Sequence, residues 1–301
     1  MLYRLENGKL QQENGALQEH AAYLGIFSFD ALAEAAERFS LQEEPVCVYE
    51  AQHASAYTLH GDTGYLCLHA FPGKHKAQAP LHACVCIRPN LLLVFSKEPD
   101  ETERLLLSFA PVQGITLSRL FCNLLEKLTD GHVELHESIE LEVADLENAL
   151  LTTKKRDCVR EIIGLRRRLM ALKRFYEQTL LALDEMEENE NDLFDEHAMR
   201  FFRLYSSRVD RLYHGALNLR DYVTQVRESY QAEVDISLNN IMKIFTVITA
   251  IFLPLSLIVG WYGMNLHMPE YDWAGMYPLV ILASVAVVVI EIVYFKKNKW
   301  F

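Results

Sequence analysis

The chain has 301 residues, half of them hydrophobic, with 41 acidic and 29 basic side chains and a formal net charge of −12. This balance argues against a nucleic-acid partner, which requires a clustered basic surface, and it favours cations as partners. A mean hydropathy of +0.01 fits a soluble part joined to a small membrane part rather than a membrane protein with many spans.

Residues 1–118 alternate short apolar segments with turn residues, a pattern that predicts a cytosolic α/β domain. Asp30 is the predicted N-cap of a helix that ends at Phe39. The apolar residues of this helix share one face at helical spacing, and they are Leu32, Ala35, Ala36 and Phe39. Four strands are predicted, at residues 46–49, 65–70, 83–87 and 91–95.

Six cysteines occur between Cys47 and Cys158, without the Cys-x-x-Cys or Cys/His spacing that is typical of zinc sites. We expect them to be reduced thiols in a cytosolic environment. Cys84 and Cys86 alternate with apolar residues, which favours packing within a strand over metal binding.

Residues 119–240 contain no proline, and their apolar residues recur at helical spacing amid charges. The pattern predicts a helical hairpin followed by a stalk helix. The acidic segment 184–192 interrupts the pattern and predicts the turn between antiparallel helices. Either a solvated loop or a cation-sensing cluster is compatible with this segment.

The predicted stalk carries a seam of apolar residues at alternating steps of four and three, which suits packing along another long helix. The seam consists of Tyr205, Val209, Leu212, Ala216, Leu219, Val223, Val226 and Tyr230. Only Gly215 interrupts the segment between about residue 195 and Pro254, so we expect one helix that continues into the membrane.

Residues 241–301 form the predicted membrane domain, with apolar segments at about 244–264 and 278–295 that are each long enough to cross a bilayer. Lys243 precedes the first segment, while Lys296 and Lys297 follow the second. The positive-inside rule therefore predicts that both termini lie in the cytoplasm and the short connecting loop lies outside.

Two residues within these spans are unusual. Glu291 lies about one turn from the lysine-flanked end of the second span, where it either snorkels toward Lys296 or Lys297 or pairs with a neighbouring helix. Pro254 removes the helical hydrogen bond to the Ala250 carbonyl, which either marks a kink or is simply tolerated.

One face of the first span combines small, hydroxyl-bearing and amide side chains. Its members are Asn239, Met242, Thr246, Thr249, Leu253, Ser256, Gly260 and Gly263. Such a face suits a water-filled pore with apolar constrictions at Met242 and Leu253, and it equally suits helix packing through small residues. Because two spans cannot enclose a channel, transport would require a cyclic oligomer.

A series of residues seven positions apart favours the pore. It changes from acidic to apolar to hydroxyl-bearing along the chain, and it runs Asp221, Glu228, Asp235, Met242, Thr249, Ser256 and Gly263. If the helices supercoil around a common axis, the acidic members form rings that attract cations at a cytosolic mouth. An exposed acidic face without this role is the alternative.

Short motifs cluster at the C-terminal end of the chain. They are Asn239-Asn240-Ile241-Met242-Lys243, Phe252-Leu253-Pro254-Leu255, Gly260-Trp261-Tyr262-Gly263-Met264-Asn265, Met268-Pro269-Glu270 and Tyr294-Phe295-Lys296-Lys297. Together they closely resemble the CorA family of divalent-cation transport proteins. Glu291 departs from the family, whose members usually carry an apolar residue at this position.

The resemblance implies an α+β membrane protein that forms a homopentameric channel for Mg²⁺, often permeable to Co²⁺ or Ni²⁺, with a cytosolic part that senses Mg²⁺ and closes the pore. It assigns the selectivity motif to Gly263, Met264 and Asn265, where a ring of neutral Asn265 carbonyls would hold the hydrated ion. Glu270 and Asp272 would form an acidic outer loop that concentrates cations. No cofactor is expected, and the expected partners are further copies of the chain, the lipid bilayer and divalent cations.

Two other functions stay open, namely a zinc transporter similar to ZntB and a membrane-anchored scaffold or sensor that transports nothing. An enzyme is not expected. His60, His69 and His82 lie near predicted strands without a nucleophile pattern, and the chain has no Gly-x-x-x-x-Gly-Lys-Ser/Thr phosphate-binding loop.

Overall fold

A computed structural model describes residues 1–6, 8–13, 18, 21–43, 45–46, 56–69, 82–109, 116–151, 158–189, 191–264, 269, 273, 275–298 and 300. The chain divides into two compact units, Met1–Val226 and Arg227–Phe301. The predicted functional division into residues 1–118, 119–240 and 241–301 stays a prediction.

Seven strands of the first unit form one sheet in the order β2-β1-β3-β7-β6-β5-β4. The strands are β1 Leu2–Glu6, β2 Lys9–Gln12, β3 Ala22–Ser28, β4 Ala56–His60, β5 Thr63–His69, β6 His82–Arg88 and β7 Leu91–Ser96. Neighbouring strands are antiparallel except β3 and β7, which pair in parallel. The strands predicted at 65–70, 83–87 and 91–95 are therefore confirmed as β5, β6 and β7.

The structure corrects two predictions in this region. Val46 is helical and buried, so the strand predicted at 46–49 does not begin there, and residues 47–49 lie outside the described part of the chain. Pro45 fixes φ near the helical value and is tolerated in a first helical turn, which explains the difference. Asp30 is not an N-cap, because a 3₁₀ turn at Phe29–Ala31 precedes the helix and Ala31 occupies the cap position.

Helix α1, Leu32–Phe39, buries the predicted apolar face against the sheet. The buried residues are Leu32, Ala35, Ala36 and Phe39. Fully burying a large apolar side chain contributes about 1.5–3 kcal/mol, so this short helix is held mainly by its packing. Strands β1 to β4 were not predicted, and the structure pairs each of them with a neighbouring strand of the sheet.

Further helices in the described part of the chain are α2 Pro99–Ser108, α3 Leu117–Lys127, α4 His132–Leu151, α5 Cys158–Glu188, α6 Glu196–Tyr262 and α7 Met276–Lys297. Helix α6 is the predicted stalk and continues without a break through Pro254 to Tyr262. Its seam is buried from Tyr205 to Val226, as predicted, while Tyr230 is half-buried. The Tyr205 hydroxyl donates to the Leu125 carbonyl (2.6 Å) and so ties α6 to α3.

The acidic segment 184–192 is only partly a turn. Helix α5 continues through Glu188, because Leu183 and Met186 still bury their side chains and glutamate is a good helix former. Asn189 then takes a left-handed conformation (φ 44°), and its side chain bonds both the amide and the carbonyl of Phe194 at 3.1 Å. Asp195 accepts from the Ala198 amide (2.7 Å) and caps the start of α6.

A buried hydrogen-bond chain links α4 to α5. The Tyr176 hydroxyl lies 2.9 Å from His132 Nδ1 and 3.0 Å from His136 Nε2, so it can donate to one ring and accept from the other. On α6, a Cβ placed at Gly215 would lie 3.0 Å from His136 Nδ1. Gly215 therefore leaves room for the imidazole inside the helical part of this unit.

Candidate functional site

In the second unit, α6 and α7 each carry one stripe of residues that are at least half-buried. Successive members of each stripe lie four, three, four and four positions apart along the helix. On α6 the stripe is Val247, Ile251, Pro254, Ile258 and Tyr262, and on α7 it is Val280, Ser284, Val287, Glu291 and Phe295. Val247 and Phe295 are buried, and the others are half-buried. Because these two helices are the long described elements of the unit, we infer that the stripes cover each other.

The residues predicted to face a pore lie on the other side of α6. Thr249, Leu253, Ser256 and Gly260 each follow a stripe residue by two positions, and residues i and i+2 point about 200° apart around a helix. All members of the predicted face from Asn239 to Gly263 are exposed in the protomer. The face is therefore available to other copies of the chain or to a water-filled pore, and its assignment to a pore stays a prediction.

The side chains on this face differ in what they offer. Met242 and Leu253, the predicted apolar constrictions, are 63% and 62% exposed. The Thr246 hydroxyl donates to the Met242 carbonyl (2.8 Å), so its oxygen lone pairs stay available to accept from water. The face thus combines apolar side chains with hydroxyl acceptors.

Gly263 ends the first span in a close turn. Its amide donates to the Val259 carbonyl (2.8 Å), and a Cβ at this position would also lie 2.8 Å from that carbonyl oxygen. Only glycine avoids this contact without a shift of the backbone. At Gly260, by contrast, an added Cβ would meet no atom within 4 Å in the protomer.

The other residues of the predicted selectivity motif are described only in part. Met264 follows Gly263 with its side chain 45% exposed. Asn265, Glu270 and Asp272 lie outside the described residues. Their roles in holding or concentrating a hydrated ion stay predictions.

The predicted acidic rings fall on exposed positions of α6. Asp221, Glu228 and Asp235 are all exposed in the protomer. Asp221 accepts from the neighbouring Arg220 guanidinium (2.8 Å), which partly neutralises its charge. Glu228 and Asp235 are therefore better candidates than Asp221 for attracting cations.

The acidic end of α5 lines an open cleft of about 410 Å³ in the first unit. Its walls include Tyr57 of β4 together with Glu185, Glu188 and Asn191. Burial, and then the carboxylate of Glu188, raise the pKa of Glu185, while burial and then Glu185 raise the pKa of Tyr57 to about 12. Within the described residues, no three His, Cys, Asp or Glu side chains are placed to hold a metal ion.

The cysteines of the described part behave as buried thiols. Cys67, Cys84, Cys86, Cys122 and Cys158 are buried and lie outside any disulfide, and the predicted packing of Cys84 and Cys86 within a strand is confirmed. Burial raises the pKa of Cys67 and Cys122 to about 12, so both stay protonated and weakly reactive near neutral pH.

The histidines considered in the sequence lie at strands of the sheet. His60 packs edge-on against Tyr65, and His69 faces His82 across β5 and β6 with 4.1 Å between the ring centroids. The pair of buried His132 and half-buried His136 was not predicted. Their spacing of four on one helical face was the available signal, but it did not indicate the bridging Tyr176.

A mixed sheet, long helices and two C-terminal helices that are long and apolar enough to cross a membrane define a two-span α+β membrane protein. The span predicted at 278–295 falls within α7, whereas the span predicted at about 244–264 extends two residues past the end of α6 at Tyr262. A family model described as CorA-like Mg²⁺ transporter protein matches residues 28–297. The chain therefore belongs to the CorA family.

Among characterised relatives, the cobalt/magnesium transport protein CorA of Thermotoga maritima is 31% identical over 182 residues. The aligned part covers 60% of this chain and 52% of that relative, so the chain matches about half of the relative's length.

Two solved structures share the fold. The complete CorA magnesium transporter of Methanocaldococcus jannaschii superposes with a TM-score of 0.82 at 18% identity, covering 100% of this chain and 98% of that chain. The cytoplasmic domain of ZntB from Vibrio parahaemolyticus superposes with a TM-score of 0.62 at 15% identity, covering 78% of this chain and 97% of that chain.

Proposed function

We propose that this chain is the subunit of a homopentameric channel that carries Mg²⁺ into the cell and closes when cytosolic Mg²⁺ is high. Co²⁺ and Ni²⁺ are further expected permeant ions. The observation that carries the proposal is the uncovered face of α6, which lies opposite the stripe that faces α7 and leads to Gly263. Family membership and the cobalt/magnesium transport named for the Thermotoga maritima relative support the choice of ions.

The chemistry of this face suits a hydrated divalent ion. Mg²⁺ gives up its water reluctantly and usually keeps several water ligands, so neutral acceptors can pass it along without trapping it. A ring of Asn265 amide oxygens at the outer end would select the ion, and Thr246, Thr249 and Ser256 would contact its water shell. Glu228 and Asp235 would raise the cation concentration at the cytosolic end.

The membrane potential supplies the driving force in this proposal. A potential of 100 mV is worth about 2.3 kcal/mol per elementary charge, and therefore about 4.6 kcal/mol for a divalent ion. A channel in the inner membrane with both termini in the cytoplasm needs no further energy source for uptake.

The pore face can be tested by blocking it with a positively charged thiol reagent. We expect Ser256→Cys to lose Mg²⁺ flux in proteoliposomes after modification, because the added cation lies in the ion path. Ile244→Cys is the matched control, since Ile244 is 57% exposed and points about 120° away from Ser256 around the same helix. Treating the wild type with the same reagent measures any loss of flux that comes from modification of the native cysteines. Equal block of the two variants would contradict the pore assignment.

The gate and the selectivity motif require a separate measurement. Flux of the wild type should fall as Mg²⁺ inside the proteoliposomes is raised, and Asn265→Ala should lose flux or ion selectivity. Flux that does not change with internal Mg²⁺ would contradict only the proposed gating by cytosolic Mg²⁺. A scaffold or sensor without transport predicts no flux for the wild type at all.

A zinc transporter is the second candidate, and the likeness of the fold to the ZntB cytoplasmic domain supports it. Competition between Zn²⁺, Co²⁺ and Mg²⁺ for flux separates the two functions. Mg²⁺ should be carried at neutral pH without a proton gradient. Flux that requires a proton gradient and prefers Zn²⁺ would favour the second candidate.

A further inference from the structure

The hairpin of α4 and α5 joins an acidic helix to a basic one. Helix α4 carries six acidic side chains and neither lysine nor arginine. The first half of α5, residues 158–174, carries six basic side chains and one glutamate. Both helices belong to the first unit, so each copy of the chain presents two charged surfaces of opposite sign.

Some of these charges are used within the protomer. Arg168 of α5 donates to the Glu142 carboxylate of α4 at 2.8 and 3.0 Å. On another side of α4, Glu147 accepts a hydrogen bond from the Tyr222 hydroxyl of α6 (2.5 Å). These contacts identify the side of α4 that faces α5 and the side that faces α6.

A stripe of α5 that points away from the Arg168 contact alternates apolar and basic side chains. Its members lie four, three and four positions apart, and they are Ile163, Arg167, Met170 and Arg174. All four are exposed, Met170 to 63%. Within the described residues, Arg167 and Arg174 form no ion pair. Side chains at this spacing suit packing along the side of another helix.

An outward stripe of α4 has the opposite charge. Its members lie three, four and four positions apart, and they are Glu134, Glu137, Leu141 and Asp145. All four are exposed, Leu141 to 67%. Leu141 points about 100° away from Glu142, and Met170 points about 160° away from Arg168, around their helices. The two stripes therefore diverge within one protomer and are both available to a partner.

Contacts inside the hairpin fix its register. Arg168 meets Glu142, and the Tyr176 hydroxyl lies 3.0 Å from His136 Nε2, so α4 and α5 run antiparallel. Moving one residue forward on α4 therefore matches moving one residue back on α5. From the Arg168–Glu142 contact, residues 137, 141 and 145 lie at the levels of residues 173, 169 and 165.

This register places complementary side chains of the two stripes at matching levels, within two residues or about 3 Å along the axis. The matched pairs are Glu137 with Arg174, Leu141 with Met170, and Asp145 with Arg167. A rotation about an axis parallel to the helices relates the copies of a ring and leaves each residue at its level. The α5 stripe of one copy can then lie against the α4 stripe of the next with opposite charges facing each other.

We propose that the α5 stripe of each copy binds the α4 stripe of the next copy in a head-to-tail contact. Because the two surfaces differ, the contact is heterologous and closes into a ring with cyclic symmetry. Exposed ion pairs add little affinity, so the charged pairs set the register and orientation while Leu141 packs on Met170. The inference rests on the homo-oligomer of the proposed function and does not depend on the ion that is transported.

Cysteine cross-linking of the full-length protein in detergent tests this contact. Two differently tagged chains, one with Leu141→Cys and one with Met170→Cys, are co-expressed and treated with a mild thiol oxidant. We expect a covalent dimer that contains both tags. Each variant expressed alone should form none, because a head-to-tail contact never brings two copies of one stripe together.

Leu181→Cys in place of Met170→Cys is the matched control for the register. Leu181 is 59% exposed on the same side of α5, and it lies 11 residues, about 16 Å, farther along the helix. It should not form a covalent dimer with the Leu141→Cys chain. Equal cross-linking of Leu181→Cys and Met170→Cys would contradict the proposed register, and cross-linking of either variant with itself would contradict the head-to-tail contact.

Charge reversal tests the complementarity of the two stripes. Arg174→Glu or Glu137→Arg, introduced into both cysteine chains, places like charges at the contact, and we expect the cross-linking rate to fall about fivefold. The double variant Arg174→Glu/Glu137→Arg restores opposite charges and should restore the rate. Arg104→Glu, at an exposed position of α2 outside both stripes, should leave the rate unchanged. No recovery in the double variant would contradict the pairing of these two residues.

The outcomes separate this contact from the proposed function. A wild type that is oligomeric and carries Mg²⁺, but whose mixed cysteine chains form no covalent dimer, would overturn the contact and leave the channel in place. A monomeric wild type without flux would overturn both. If Met170→Cys is shielded from a thiol reagent only when anionic lipid vesicles are added, the basic stripe binds a membrane surface and the proposal is wrong.

Discussion

Single residues decide how closely the backbone and side chains approach one another in this protein. Gly215 admits the His136 ring, and Gly263 admits the Val259 carbonyl, each at a distance where a Cβ would be 3.0 Å or closer. A glycine is thus needed at position 263 for a steric reason that is independent of ion binding. The same is not true of Gly260, where the protomer leaves open space.

Gly263→Ala should destabilise the detergent-solubilised protein by about 1–3 kcal/mol, the usual cost of forcing extra atoms into a close contact. Gly164→Ala is the matched control, because Gly164 is exposed within α5 and its Cβ would meet nothing within 4 Å. The control should gain about 0.5–1 kcal/mol from the better helix propensity of alanine. Chemical denaturation of the two variants measures both changes, and equal stabilities would contradict the steric argument.

His136 makes stability depend on pH. Burial, and then the neighbouring His132, lower the pKa of His136 from 6.5 to about 4. Between these values the unfolded chain binds more protons than the folded one, so stability is fully present above about pH 6.5 and is lost as the pH falls toward 4. His136→Gln, which keeps a polar partner for Tyr176 and does not titrate, should flatten this dependence in thermal unfolding measured from pH 7 to 4. An unchanged profile would contradict the assignment.

At the scale of the elements, α6 serves two purposes along one helix. Its first half buries a seam through Val226 in the first unit, and its last part presents one stripe toward α7 and leaves the opposite face uncovered. The seam was predicted correctly as far as Val226 from the steps of four and three, because that periodicity is a local property of the chain. The end of α5 was predicted too early, since charge density is a weaker signal than the continued burial of Leu183 and Met186.

Two leucines of α6 allow the buried seam to be compared with the exposed side of the same helix. Leu212→Ala should cost about 2–5 kcal/mol of stability, because Leu212 is only 6% exposed and its removal leaves a cavity. Leu204→Ala, at a position 66% exposed, should change stability by less than about 0.5 kcal/mol. Urea unfolding followed by circular dichroism makes the comparison, and similar losses in the two variants would show that the seam is not packed as described.

At the scale of the whole molecule, the placement of lysines predicts its orientation in the membrane. A single cysteine introduced as Pro269→Cys should react with a membrane-impermeant thiol reagent in intact cells, because the connecting loop is expected outside. Asn298→Cys should react only after the cells are permeabilised. The described native cysteines are buried and provide a low background. The reverse labelling pattern would place the termini outside.

Composition, period and short motifs within single segments were enough to predict the two spans, most of the seam of the stalk, the grouping of small and hydroxyl-bearing residues on one face of α6, and the family. The order of the sheet depended on tertiary structure, since β3 and β7 pair in parallel across more than sixty residues of intervening chain. The Tyr176 bridge between two histidines and the close approach at Gly215 also required it. Tertiary structure was also needed to show that the polar face of α6 lies opposite the stripe that α7 covers, because only packing decides which side of an apolar helix meets its neighbour.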